Sequence, residues 1–237
     1  MRIAIQQPYF FPYLNYFCLI EQAERFIFFD QTQYVRHAWY ERNRILKPNN
    51  QGWQWFMAPL EKHSHTENLL NIYINNKPEW QNKIFAQLNH YKKKAPHYYD
   101  TMHLLSGILQ NHHTGLIELN VSSIASICAY LGIHTRMERL SGMNLNYKDA
   151  NAPDEWALNI CQSIEGADQY FNLPGGTSFF DRSKYEKAGI DLKFPALQNI
   201  QYHQKGIRFE PDLSIIDVMM FNSREEIRHM LTQYTYL

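Results

Sequence analysis

Met1-Arg2-Ile3-Ala4-Ile5-Gln6-Gln7-Pro8-Tyr9-Phe10-Phe11-Pro12-Tyr13 opens the chain, and Phe26-Ile27-Phe28-Phe29-Asp30 follows after an intervening segment, 14–25. The apolar run at 2–6 reads as a first strand. Pro8 and Pro12 forbid an ordinary helix across the next residues, since each lacks an N–H and pushes its predecessor towards extended geometry. From Leu14 onward, Phe17, Cys18, Ile20 and Ala23 keep an apolar face, which predicts an amphipathic helix over 14–25. The run 26–30 then reads as a buried strand that delivers a carboxylate, Asp30, at its carboxyl end. Strand, loop, helix, strand is the start of an α/β sheet, and ligands of such sheets bind at the carboxyl ends of the strands.

Working outward, residues 115–194 continue the rhythm: helix, strand, helix, strand, helix, strand. Helices are expected near 114–131, 153–164 and 179–188, and strands at 134–140, 169–172 and 190–194. Gly132 and Gly189 stand where helices end. A Rossmann-like, mostly parallel sheet with helices on both faces is the fold class this predicts. One α/β domain over 1–237 is expected, interrupted at 59–114 by a mainly helical insertion. There Pro78 suits the first turn of a helix, and a second helix is expected at 98–110. Pro48-Asn49-Asn50-Gln51-Gly52 is a turn cluster. Strands at 53–57 and 70–74 are expected to pair. Residues 195–211 read as irregular, and two short helices, 213–221 and 225–231, close the chain.

Composition narrows the function. Charged residues make up 19 % and apolar residues 45 %, which excludes a disordered chain. Lys plus Arg equals Asp plus Glu, so no broad surface for nucleic acid or anionic lipid is expected. The three cysteines, Cys18, Cys128 and Cys161, are widely spaced in apolar helical patterns and read as buried thiols. No apolar run approaches a membrane span and no signal peptide is read, so a cytoplasmic location is expected. Neither the His63-x-His65 pair nor His112-His113 has a matching second pair, and no metal site is expected. No Gly-x-Gly-x-x-Gly or Gly-x-x-x-x-Gly-Lys-Ser occurs, and no cofactor is expected. Nothing in the pattern assigns an oligomeric state.

Three constellations carry the candidate site. Gln6, Gln7, Asp30 and Gln33 would meet at the carboxyl ends of two adjacent strands, where amides orient hydroxyls and Asp30 serves as a base or binds an amine; the structural alternative is a polar cap on buried loop backbone. Arg42-Asn43-Arg44, if extended, puts two guanidiniums on one side as a clamp for pyrophosphate or carboxylate, with Trp39, Tyr34 and Tyr9 as aromatic walls; the alternative is a solvated loop. Gly175-Gly176-Thr177 precedes a helix, and its N–H groups suit a phosphate; the alternative is an ordinary helix cap by Thr177 or Ser178.

The run Gln6-Gln7-Pro8-Tyr9-Phe10-Phe11-Pro12-Tyr13-Leu14-Asn15-Tyr16-Phe17, with Asp30, Gln33-Tyr34, Trp39 and Arg42-Asn43-Arg44, resembles the opening of the WbqC-like family. The likeness continues through Tyr91 to Tyr98, Leu131-Gly132-Ile133, Gly175-Gly176, Gly189-Ile190 and Ser214-Ile215-Ile216-Asp217. The resemblance implies a bacterial protein of O-antigen or other surface-polysaccharide gene clusters. It implies a transferase that places glycine or another acyl group on an amino sugar carried by a nucleotide. In that reading Asp30, Gln7 and Gln33 are catalytic. Gln6, Tyr9, Tyr34, Trp39, Arg42, Asn43, Arg44, Gly175, Gly176 and Thr177 bind the substrate. A non-catalytic nucleotide-sugar-binding or scaffold protein of the same pathway is the alternative. The stretch from Phe11 to Ala23 is also similar to the first turn of the nucleotidylyltransferase superfamily, which leaves a core of that type open. Phe17 stands where that superfamily has a histidine, which argues against adenylyl transfer.

Overall fold

The computed structural model describes every residue except Asn50, Pro78 and Ile207. The helix start expected at Pro78, and parts of the 48–52 turn and the 195–211 stretch, therefore lie outside the described residues.

Five strands form the central sheet. They are β1 (Arg2–Gln6), β2 (Arg25–Phe28), β5 (Arg136–Arg139), β6 (Gln169–Phe171) and β7 (Asp191–Lys193), all parallel, in the order β5-β2-β1-β6-β7. Order reverses between β1 and β6, the switch point of a doubly wound sheet. Alternation along the strands explains the layers. Ala4, Phe26, Phe28 and Phe171 face a core shared with α1 (Leu14–Gln22), α4 (Leu116–Leu131), α7 (Ile215–Phe221) and α8 (Arg224–Leu231). Ile3, Ile5, Ile27 and Tyr170 point the other way, onto α5 (Glu155–Gln162) and Tyr185 of α6 (Arg182–Lys187). The sheet is thus covered on both sides, and both of its faces are apolar. α4 stops at Gly132, whose φ of +72° is the left-handed geometry that ends helices; a Cβ there would lie 2.7 Å from Arg224 Nη2.

A separate two-stranded ribbon, β3 (Arg42–Leu46) with β4 (Trp53–Met57), stands beside the sheet. The sequence predicts a pairing of 53–57 with 70–74 instead. Residues 42–46 alternate half-exposed and buried, and the short turn to β4 makes this nearby pairing the less costly loop closure. Leu69–Asn71 forms a single 3-10 turn, capped by the Asn68 side chain accepting from Leu70 N at 2.9 Å. Beyond it lie α2 (Trp80–Leu88), a 3-10 turn at Asn89–Lys93 and α3 (Tyr98–Leu109). Their apolar residues, among them Trp80, Leu88, Tyr91 and Leu105, pack into the same core as α1 and α4. A second small ribbon joins β8 (Pro195–Leu197), where the sequence predicts irregular chain, to β9 (Tyr234–Tyr236). Pro195 opens β8 without a backbone donor and so hides its strand signal. Asn15 of α1 holds β8 by donating to Pro195 O at 3.0 Å and accepting from Leu197 N at 2.7 Å.

No helix among the described residues is long and apolar enough to cross a membrane. The three cysteines are buried and free, and burial pushes the thiols of Cys18 and Cys128 up to about 12.

Candidate functional site

β1 ends at Gln6, and the chain turns through 7–13 into α1. Fixed polar contacts hold this loop. Tyr16 Oη donates to Gln7 O at 2.8 Å, and Asn120 Nδ2 to Pro8 O at 2.9 Å and Tyr40 O at 2.7 Å. Asn43 Nδ2 donates to Phe10 O and Phe11 O at 3.0 and 2.9 Å, and Ser214 Oγ to Phe11 O at 2.7 Å. Phe11 is buried with φ at +43°, a conformation that a bulky residue keeps only when its surroundings impose it. The loop is therefore a rigid wall that presents Tyr9 and Tyr13.

Opposite that wall, β6 runs into Asn172, a 3-10 turn at Pro174–Gly176, and Phe179-Phe180. Packing favours glycine at 176, since a Cβ there would meet Phe180 Cε2 at 2.9 Å and Asn172 Oδ1 at 3.2 Å. Its N–H donates to Leu173 O at 2.9 Å, and that of Thr177 to Pro174 O at 3.2 Å, so neither is free for a phosphate. The N-cap of α6 is Asp181, whose carboxylate accepts from Ser183 N at 2.9 Å.

Between the two walls lies a cavity of about 850 Å³ at the switch point. Gln6, Gln7, Tyr9, Trp39, Arg44, Gly175 and Gly176 line it, together with Tyr13, Trp156, Asn172, Phe179 and Asp212. Trp39 and Phe179, 38 % and 52 % exposed, are aromatic members of the lining. Burial pushes the Tyr9 phenol up to about 12, and burial with neighbouring Tyr9 and Asp212 raises Tyr13 further still. Both phenols are therefore neutral hydrogen-bonding groups. Arg44 lies between Trp39 and Trp53, with its Cζ at 5.4 and 5.2 Å from their ring centroids. Its Nη2 donates to Asp212 O at 2.9 Å, and its Nε is buried without a hydrogen-bond partner among the described residues.

Other residues of the sequence reading stand elsewhere. Asp30 is fully buried outside the cavity lining. Its carboxylate takes Arg139 Nε at 2.8 Å, Ser141 N at 3.0 Å and Ser141 Oγ at 2.6 Å. It braces the end of β2 against β5, and its oxygens are already engaged. Arg42 shares the strand face of Arg44, but its guanidinium caps Trp55 at 3.9 Å and donates to His37 O. Asn43 points inward to the loop carbonyls. The phenol of Tyr34 is buried against the Glu41 carboxylate. Gln33 is exposed and donates to His65 O at 3.3 Å. Thr177 follows the glycine turn outside the lining. Among the described residues, no three metal-ligating side chains come together.

The sequence reading missed Trp156, Phe179, Asn172 and Asp212. Trp156 and Phe179 sit at helical or loop positions where an aromatic reads as core. Asp212 has no local signal, because it reaches the cavity only through the pairing of its loop with β3.

A protein of Mycobacterium tuberculosis (strain ATCC 25618 / H37Rv), named only as uncharacterized protein Rv1507c, is 29 % identical over 223 residues, 93 % of each chain. No solved structure matches the chain. The profile of the WbqC-like protein family matches residues 7–229, from the glutamine at the cavity wall to the last helix, and the chain belongs to that family.

Proposed function

We propose that this cavity binds a nucleotide-linked amino sugar, and that the protein is a cytoplasmic transferase placing an acyl or aminoacyl group, glycine among the candidates, on that sugar during surface-polysaccharide or O-antigen assembly. One observation carries the reading: a single guanidinium, Arg44, set among aromatic faces in a cavity at the sheet's switch point. Arg44 suits a phosphate and Trp39 a base or sugar ring, while the amides of Gln6 and Gln7 suit ring hydroxyls. The alternative, a non-catalytic nucleotide-sugar-binding or scaffold protein, draws on the engagement of Asp30 by Arg139 and Ser141, which leaves that acid no reach into the cavity.

The test has two stages. Thermal-shift titration with UDP, UDP-sugars and sugars alone measures binding, since a ligand at a hundred times its Kd raises stability by about 2.7 kcal/mol. Arg44→Ala weakens the phosphate-bearing ligands by about 1.5–3 kcal/mol with the fold retained. Mass spectrometry then follows the bound sugar with acyl and aminoacyl donors. A new product mass supports the transferase; binding without any product supports the alternative; unchanged affinity in Arg44→Ala removes the phosphate site.

A further inference from the structure

Arg44 and Asp212 are the charged side chains of the cavity lining among the described residues. They come from distant segments that are fastened together. Ser214 N donates to Arg44 O at 2.9 Å, and Arg44 Nη2 binds the backbone carbonyl of Asp212. Among the described residues the two side chains nevertheless form no ion pair, and the Asp212 carboxylate accepts no hydrogen bond. Asp212 holds φ at +53°, left-handed for a residue with a side chain. Its neighbours impose this. Leu213 is buried in the core, and Ser214 is locked by its contact with Phe11 O. A strained backbone thus keeps an unpaired carboxylate exposed beside a guanidinium that is turned to the carbonyl.

We infer that Asp212 receives the ammonium of a ligand whose anionic group sits on Arg44, so that the ligand is a free amine and not its N-acyl form. An ammonium beside an anion is the chemistry of a 2-amino sugar 1-phosphate, where nitrogen and phosphate oxygen sit on adjacent carbons. It is also the chemistry of an α-amino acid. In its first form the inference rests on the nucleotide-sugar reading above and names the acceptor as the unacylated sugar.

Calorimetry with UDP-glucosamine, UDP-N-acetylglucosamine, UDP and glycine tests it, on the full chain and on Asp212→Asn, at mildly acidic pH where the sugar amine is protonated. Asparagine keeps the shape and tolerates the left-handed backbone. Asp212→Gly, also at ease there, repeats the test if the first variant is unstable. UDP-glucosamine is expected to bind about tenfold tighter than its N-acetyl form or better. Asp212→Asn abolishes that preference, and UDP, which has no amine, binds the variant no more weakly than the native chain. Equal affinities in the native chain, or a preference that survives Asp212→Asn, overturn the inference while the nucleotide-sugar reading stands. Glycine binding that depends on Asp212, with no binding of the UDP ligands, keeps the ammonium assignment and overturns the nucleotide-sugar reading. Failure of all four ligands overturns both.

Discussion

Two gaps along the carboxyl edge of the sheet have opposite fates. After β2 the chain crosses on the face of α1 and α4, and after β5 it crosses on the face of α5. After β1 it enters α1 on one face, and after β6 it enters α6 on the other. Both pairs of connections therefore diverge and open a crevice. The β2–β5 crevice is closed by a clasp, Asp30 with Arg139 and Ser141. The β1–β6 crevice is held open by the rigid 7–13 loop and the Gly176 turn. Topology makes both crevices; side chains decide which one stays open.

The largest effect should come from opening the clasp. Asp30→Ala leaves Arg139 Nε and Ser141 without their acceptor and should destabilise the protein by about 3–4 kcal/mol in denaturant unfolding. Ligand affinity of the remaining folded protein should not change. A loss of binding with stability intact would put Asp30 back in the open crevice.

A third carboxylate sharpens the contrast, since it is buried without a cation. Asp217 accepts from Tyr91 Oη at 2.6 Å, Tyr202 Oη at 2.7 Å and Gln204 Nε2 at 3.0 Å, and burial pushes it from 3.8 up to about 6. Below about pH 4 both folded and unfolded forms carry the proton. Between about pH 4 and pH 6 the unfolded chain gives it up while the folded chain keeps it, so stability falls as pH rises. The loss levels off above about pH 6, at about 3 kcal/mol in total. Asp217→Asn should flatten that part of the stability profile, as measured by urea unfolding at stepped pH. An unaltered slope would assign it to other groups.

The smallest effect belongs to the open crevice. Gly176→Ala drives a methyl into Phe180 and should cost about 1 kcal/mol of stability. Its larger consequence should be weaker ligand binding, the reverse of Asp30→Ala. Equal losses in both measurements would mean that the turn acts only through packing.

What the sequence disclosed follows from the range of the forces involved. Ile3 to Ile5 and Phe26 to Phe29 are unbroken apolar runs, the mark of strands covered on both faces, and their strands are found within a residue or two of expectation. Gln6 and Gln7 followed from strand ends, and both line the cavity. Asn43 did not read correctly from its neighbours alone. Beside two arginines it looks like a ligand group, yet its amide faces inward to the carbonyls of Phe10 and Phe11. Asn120 has the same task from the middle of α4, where nothing nearby marks it. Such long-range satisfaction of buried backbone leaves no periodic trace. The position of Asp212 was hidden for the same reason.

The 7–13 loop, fastened by Asn43, Asn120 and Ser214, sets an order for synthesis. Its fasteners come from three separate segments, and Ser214 stands 203 residues beyond Phe11, whose carbonyl it holds. A nascent chain can lay down β1, α1 and β2 early, but the wall presenting Tyr9 and Tyr13 cannot be completed until Ser214 has left the ribosome. A chain cut before residue 214 therefore lacks one of the three clamps on the wall that presents Tyr9 and Tyr13.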